Sequence, residues 1–112
     1  MDGSNLINEL LYKTSSLKKL VEEANRYGLD LAKAERIYRI SLATKLIELK
    51  ASGVAATLCS DLAKGDEIIA QLREERDKAE VWYKSSLEHI MASKLEVKIL
   101  EGQIEREWTK NE

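Results

Sequence analysis

The chain has 112 residues, 34% of them charged, and a formal net charge of −2. That length leaves room for one modest core. The composition excludes the low-hydrophobicity, high-net-charge signature of disorder and gives no support to a broadly basic nucleic-acid binder.

Proline and phenylalanine are absent, and most positions hold Ala, Leu, Glu, Lys, Arg or Ile. These are mostly good helix formers, and the strongest helix breaker is missing. The expectation is an all-α fold: an elongated antiparallel helical bundle or coiled-coil-like hairpin with a short connecting helix, oligomeric, in one domain over 1–112. The start, MDGSNLINELLYK, is acidic and lacks the apolar stretch of a secretory signal. No apolar run approaches the roughly 20 residues of a membrane span. The single cysteine, Cys59, has no internal disulfide partner. A reducing, cytoplasmic location and no membrane partner are expected.

The first element is a short helix over 5–12. Thr14, Ser15 and Ser16 interrupt it and offer hydroxyls that could cap the next helix. That helix is expected over 16–51, with a candidate break at Gly28. Leu17, Leu20, Val21 and Ala24 mark its first face; Leu31, Ala34, Tyr38, Leu42, Leu46 and Leu49 continue it. Ile37, Ile40, Ala43 and Ile47 widen that face, which predicts packing against at least two other helices. Gly53 is the expected C-terminal stop. A short helix over 54–64 comes next, with Val54, Ala55, Leu58, Cys59, Leu62 and Ala63 on its apolar face. Gly65 closes it, and Asp66 is placed to cap the last helix.

That last helix is predicted over 66–110. Ile69, Leu72, Arg76, Ala79, Tyr83, Ser86, Ile90, Val97, Ile104 and Trp108 keep to 3–4 spacing for most of its length. The seam is poor in leucine and is interrupted by Arg76, Ser86, Ser93 and Glu101, so a regular leucine zipper is not expected. A helix of this length either bends near Gly102 or shares its apolar stripe with another subunit. A homo-oligomer is therefore expected.

Catalytic chemistry has little to stand on. His89 is the lone histidine, and Cys59 sits in an apolar stretch where a thiol acts as a small hydrophobe. No zinc-like grouping, glycine-rich phosphate loop or nucleophile elbow is present. A ferritin-type site needs Glu-x-x-His, and no glutamate lies three residues before His89. No enzyme activity, cofactor or metal is expected.

Charged positions are more informative. Arg76 lies in register with the apolar seam and must pair with an acid, extend its head to water or meet an anion. Asp61 or an acid from another chain is a candidate partner. Glu80 lies one turn further on, and the pair Arg76 and Glu80 is expected to be buried or at an interface. Lys33, Arg36 and Arg39 are basic positions on the second helix; Lys84, Lys94 and Lys98 are basic positions on the last. A basic strip with tyrosines nearby can hold a phosphate backbone and stack a base. The plainer reading is a mixed, solvated helix surface.

Certain runs resemble a group of small, uncharacterised, all-helical proteins encoded in phages and prophages of Gram-positive bacteria. They are Asp61-Leu62-Ala63-Lys64-Gly65, Arg76-Asp77-Lys78-Ala79-Glu80, Tyr83-Lys84-Ser85, Lys94-Leu95-Glu96 and Arg106-Glu107-Trp108. The resemblance covers about residues 27 to 110 and implies a phage origin and a bacterial host cell. A fainter similarity is to the recombination mediator proteins of large tailed phages, which are helical and oligomeric and load a recombinase onto single-stranded DNA. Their basic residues would map onto Lys84, Lys94 and Lys98, although this chain is shorter and more acidic. The resemblance implies an accessory protein of DNA metabolism that binds single-stranded DNA or a phage or host DNA-processing protein. A protein-interaction adaptor or inhibitor of a host complex, and a virion assembly or structural factor, are the alternatives.

Overall fold

A computed structural model describes residues 3–110, so Met1, Asp2, Asn111 and Glu112 lie outside it. It contains α1 (Gly3–Ala51), α2 (Ala56–Gly65) and α3 (Glu67–Lys110), with no strand among the described residues. The all-α helical bundle expected from composition is what forms. The chain divides into two compact units. One combines the stretch up to Arg26 with the stretch from Lys84 on, and the other is Tyr27–Tyr83.

In the first unit the start of α1 lies antiparallel to the end of α3. Lys13 reaches Glu96 at 2.6 Å, Leu6 and Gln103 line one shallow groove, and Leu20 and His89 line another, so one helix climbs as the other descends. The covered positions on α3 alternate in steps of three and four: Ser86, Ile90, Ser93, Val97, Leu100, Ile104 and Glu107 form its least exposed line. Leu6, Leu10, Lys13, Leu17, Leu20 and Ala24 form the facing line on α1. On α3 the small Ser86 and Ser93 alternate with Ile90 and Val97, and the facing leucines of α1 remove apolar area from water. No buried side-chain nitrogen or oxygen lacks a hydrogen-bond partner among the described residues.

In the second unit α1 and α3 are again antiparallel, and α2 joins them. α1 ends in two backbone bonds, from the Val54 N–H to the Leu49 carbonyl and from the Gly53 N–H to the Lys50 carbonyl, each 3.1 Å. This paired arrangement satisfies two orphan carbonyls and requires a left-handed residue, which Gly53 supplies with φ 87°. α2 buries Cys59 and Ala63. The Cys59 thiol donates to the Val54 carbonyl at 3.6 Å. At the next corner Asp66 is extended, and its carboxylate accepts from the Ile68 and Ile69 N–H groups at 3.2 and 3.3 Å. Gly53 as stop and Asp66 as cap stand where the sequence placed them.

Several expectations change. α1 is unbroken through 14–16 and through Gly28, so the separate helices over 5–12 and from 16 do not exist. The Thr14 hydroxyl donates back to the Leu10 carbonyl at 2.9 Å, inside the helix rather than at a cap. Gly28 is a close-approach site: a Cβ there would lie 3.2 Å from the Tyr83 ring. The broad face of α1 is only partly covered: Ile37 is half-buried, but Ile40 is 56% and Ile47 69% exposed. Trp108 is 61% exposed, because the alternating step from Ile104 is three, to Glu107, and a step of four overshoots the seam. Gly102 lies inside the unbroken α3.

Candidate interaction surfaces

Arg76 is the centre of a charged cluster in the second unit. Its guanidinium donates to Asp77 Oδ1 through Nε (3.1 Å) and Nη2 (2.8 Å) and lies 3.4 Å from Glu35 Oε2. It also covers the Tyr38 ring at 4.7 Å from the centroid. The hydrogen bond to Asp77, with the charges of Asp77 and Glu35, raises the Arg76 pKa against a smaller opposing effect of burial. Arg39 donates to Glu35 Oε1 at 2.6 Å. That bond holds the Glu35 carboxyl below its ordinary value, and the nearby Arg76 charge adds to it.

Arg76 therefore resolves its place on the seam by pairing within the chain and stacking on a tyrosine. Asp61, proposed from sequence as its partner, is exposed, and the acids that meet Arg76 are Asp77 and Glu35. Glu80 is half-buried and has an interaction of its own. The surrounding segment is a mixed, solvated helix surface, with Lys78 and Glu74 paired at 3.2 Å one turn apart.

The six basic candidates divide between the units. Lys33, Arg36 and Arg39 are exposed on the second, where Arg39 is engaged by Glu35. Lys84, Lys94 and Lys98 belong to the first, where Lys94 and Lys98 line a shallow groove with Leu17, Leu95, Val97 and Glu101. His89 is exposed and lines another shallow groove with Tyr12, Lys13 and Glu96. Among the described residues no three His, Cys, Asp or Glu side chains are placed to hold a metal ion. No described helix is long and apolar enough to cross a membrane.

Two further ion pairs fix the antiparallel register. Lys45 meets Asp66 at 3.4 Å, and the Ile69 N–H bond, reinforced by the Lys45 charge, holds Asp66 below the usual carboxylate range. Lys13 is raised, first by its hydrogen bond to Glu96 and then by that residue's charge.

Sequence reasoning placed Ile40, Ile47, Leu58 and Leu62 on faces expected to be covered, and missed Ile68, Val81 and Trp82 altogether. In the second unit Ile40, Ile47, Leu58, Leu62, Ile68, Val81 and Trp82 are all more than half exposed. Trp82 stacks on Tyr27 with 6.0 Å between centroids. Their signal was available: Ile68 and Trp82 immediately precede the seam residues Ile69 and Tyr83, one position off the covered line.

No protein-family model, no curated protein and no solved structure matches the chain. The phage and prophage origin, and with it DNA binding and DNA recombination, are accordingly withdrawn; the six bases they rested on fall three to each unit. The coiled coil is withdrawn as well. Such a seam is apolar at both repeating positions, whereas this one holds Lys13, Tyr27, Tyr38, Lys45, Arg76, Tyr83, Ser86 and Ser93.

Proposed function

We propose that the chain is a protein-interaction module that acts by binding another protein rather than by catalysis. The observation that carries this is the apolar surface of the second unit. Ile40 and Ile47, seven residues apart on one side of α1, and Leu58 and Leu62, one turn apart on α2, project into solvent at 51% exposure or more. Solvated helix faces are ordinarily polar, and rows of large apolar side chains mark places where another chain packs. An amphipathic helix laid against such rows would anchor at the same 3–4 and 7 spacings.

The total surface supports the same reading. The chain exposes 8468 Å². A monomeric protein of 12.7 kDa is expected to expose about 6,200 Å². Among the described residues no large side chain is fully buried. The chain thus leaves more surface to be covered than a self-sufficient domain of its mass.

The test is affinity capture after nuclease treatment, with the wild type beside Ile47→Glu and Leu58→Glu variants of unchanged helicity. A discrete protein retained by the wild type and lost by both variants is the expected result. Capture that is equal for all three, or material that disappears with nuclease, overturns the proposal.

A further inference from the structure

A second line of residues runs along α3 in the first unit, each one position after the covered seam. It comprises Met91, Lys94, Lys98, Glu101, Glu105 and Trp108. Their steps are three, four, three, four and three, and at 3.6 residues per turn all six fall within roughly 100° of the helix circumference. All six are exposed, Met91 at 69% and Trp108 at 61%. Neither Lys94, Lys98, Glu101 nor Glu105 makes an ion pair among the described residues, although Lys98 and Glu101 are three residues apart. The line is therefore a solvated stripe with the order apolar, plus, plus, minus, minus, apolar.

That order reads as its own complement when reversed. We propose that two copies of this chain pair antiparallel along this stripe of α3, about a twofold axis between Lys98 and Glu101. Lys98 then meets the partner's Glu101 and Lys94 meets the partner's Glu105. Met91 packs against the partner's Trp108, closing each end with an apolar contact. Twofold symmetry makes the contact isologous, so every pair occurs twice. Gly102 lies on the flank of the stripe on the same side as Leu95, with the Arg106 guanidinium 3.5 Å from where its Cβ would stand. The packing is that of two helices meeting along 3–4 repeats, displaced by one residue from the seam that α3 uses with α1.

A second copy is the occupant because a matching stripe must carry minus, minus, plus, plus in the same spacing, and this chain supplies it. Parallel pairing would set Lys against Lys and Glu against Glu. The charges lie at the middle of the contact, so association weakens as salt rises. The inference goes beyond the proposed capture surface. It concerns the first unit, and the pairing can be absent while partner capture by the second unit persists, or the reverse.

The experiment is sedimentation velocity at low salt on the wild type, on Lys94→Glu/Lys98→Glu and on Glu101→Lys/Glu105→Lys, each checked for helicity by circular dichroism. The first variant carries four negative charges along the stripe and the second four positive. The wild type is expected as a dimer, and each variant alone should associate roughly tenfold or more weakly, from the loss and reversal of four partly exposed pairs. An equimolar mixture of the two variants should recover a dimer. A monomeric wild type at high micromolar concentration overturns the inference. So does either variant self-associating as well as the wild type, or a mixture no more associated than its components. If one variant fails to fold, the other still decides between weakened and unchanged self-association.

Discussion

Replacing Arg76 by methionine tests the reasoning about the charged cluster. The side chain is 22% exposed and lies over Tyr38 at 4.7 Å, with Asp77 at 2.8 Å and Glu35 at 3.4 Å. A partly exposed cation over a tyrosine face is worth about 1 kcal/mol. Two partly solvated ion pairs add a few tenths of a kcal/mol each after screening. Methionine keeps most of the apolar contact along the stem, so the net loss is about 1–2 kcal/mol. Lysine keeps the charge without the planar stacking surface and should fall between. Urea unfolding at pH 7 and fixed protein concentration measures both, the concentration being held because association shifts apparent stability. Combining Arg76→Met with Tyr38→Leu should give a coupling of about 0.5–1 kcal/mol. Acid supplies a further check. Glu35 has a depressed pKa, so its contribution is present above the ordinary Glu range and is lost as pH falls through the folded value. The Arg76→Met deficit should accordingly shrink in acid. A methionine variant that unfolds at the wild-type urea concentration, or strict additivity with Tyr38→Leu, refutes the account.

Gly53→Ala should cost about 1 kcal/mol or more through backbone strain alone, since φ is 87° and nothing lies within 4 Å of an added Cβ; calorimetry on the two proteins measures it. Asp66→Ala should lower the unfolding midpoint at pH 7 and Asp66→Asn should lower it less, because asparagine also caps. The folded pKa of Asp66 is depressed, so the alanine deficit should persist above the ordinary Asp range and fade as pH falls through the folded value. Cys59 is 6% exposed, so a thiol reagent should label it slowly in the native protein and fast in denaturant; equal rates would show that α2 does not bury it.

The local events of this fold were legible in the sequence because each depends on a few neighbouring residues. Gly53 ends α1 because only a residue free to adopt positive φ completes the paired bonds there. Asp66 starts α3 because its carboxylate reaches the N–H groups two and three residues further on. The 3–4 line from Ile69 to Ile104 named most of the covered face of α3. The candidate surfaces were less legible. Ser, Thr and Gly read as interruptions in a local scan, yet Thr14 is satisfied inside α1 and Gly28 is approached by the Tyr83 ring from the opposite helix, 3.2 Å from where a Cβ would stand. Arg76 was marked as a seam charge from periodicity, but its partners Glu35 and Tyr38 lie on α1, about forty residues away in sequence, and only antiparallel pairing brings them near. Periodicity also overstated how much apolar surface would be covered. It shows that Ile40 and Ile47 share a face, whereas the number of helices laid against that face is decided by tertiary packing. Sequence by itself determined the helices, their ends and the line along which they meet. Tertiary structure decided which polar groups find each other and which apolar rows stay in water, because both depend on the register between segments far apart in the chain.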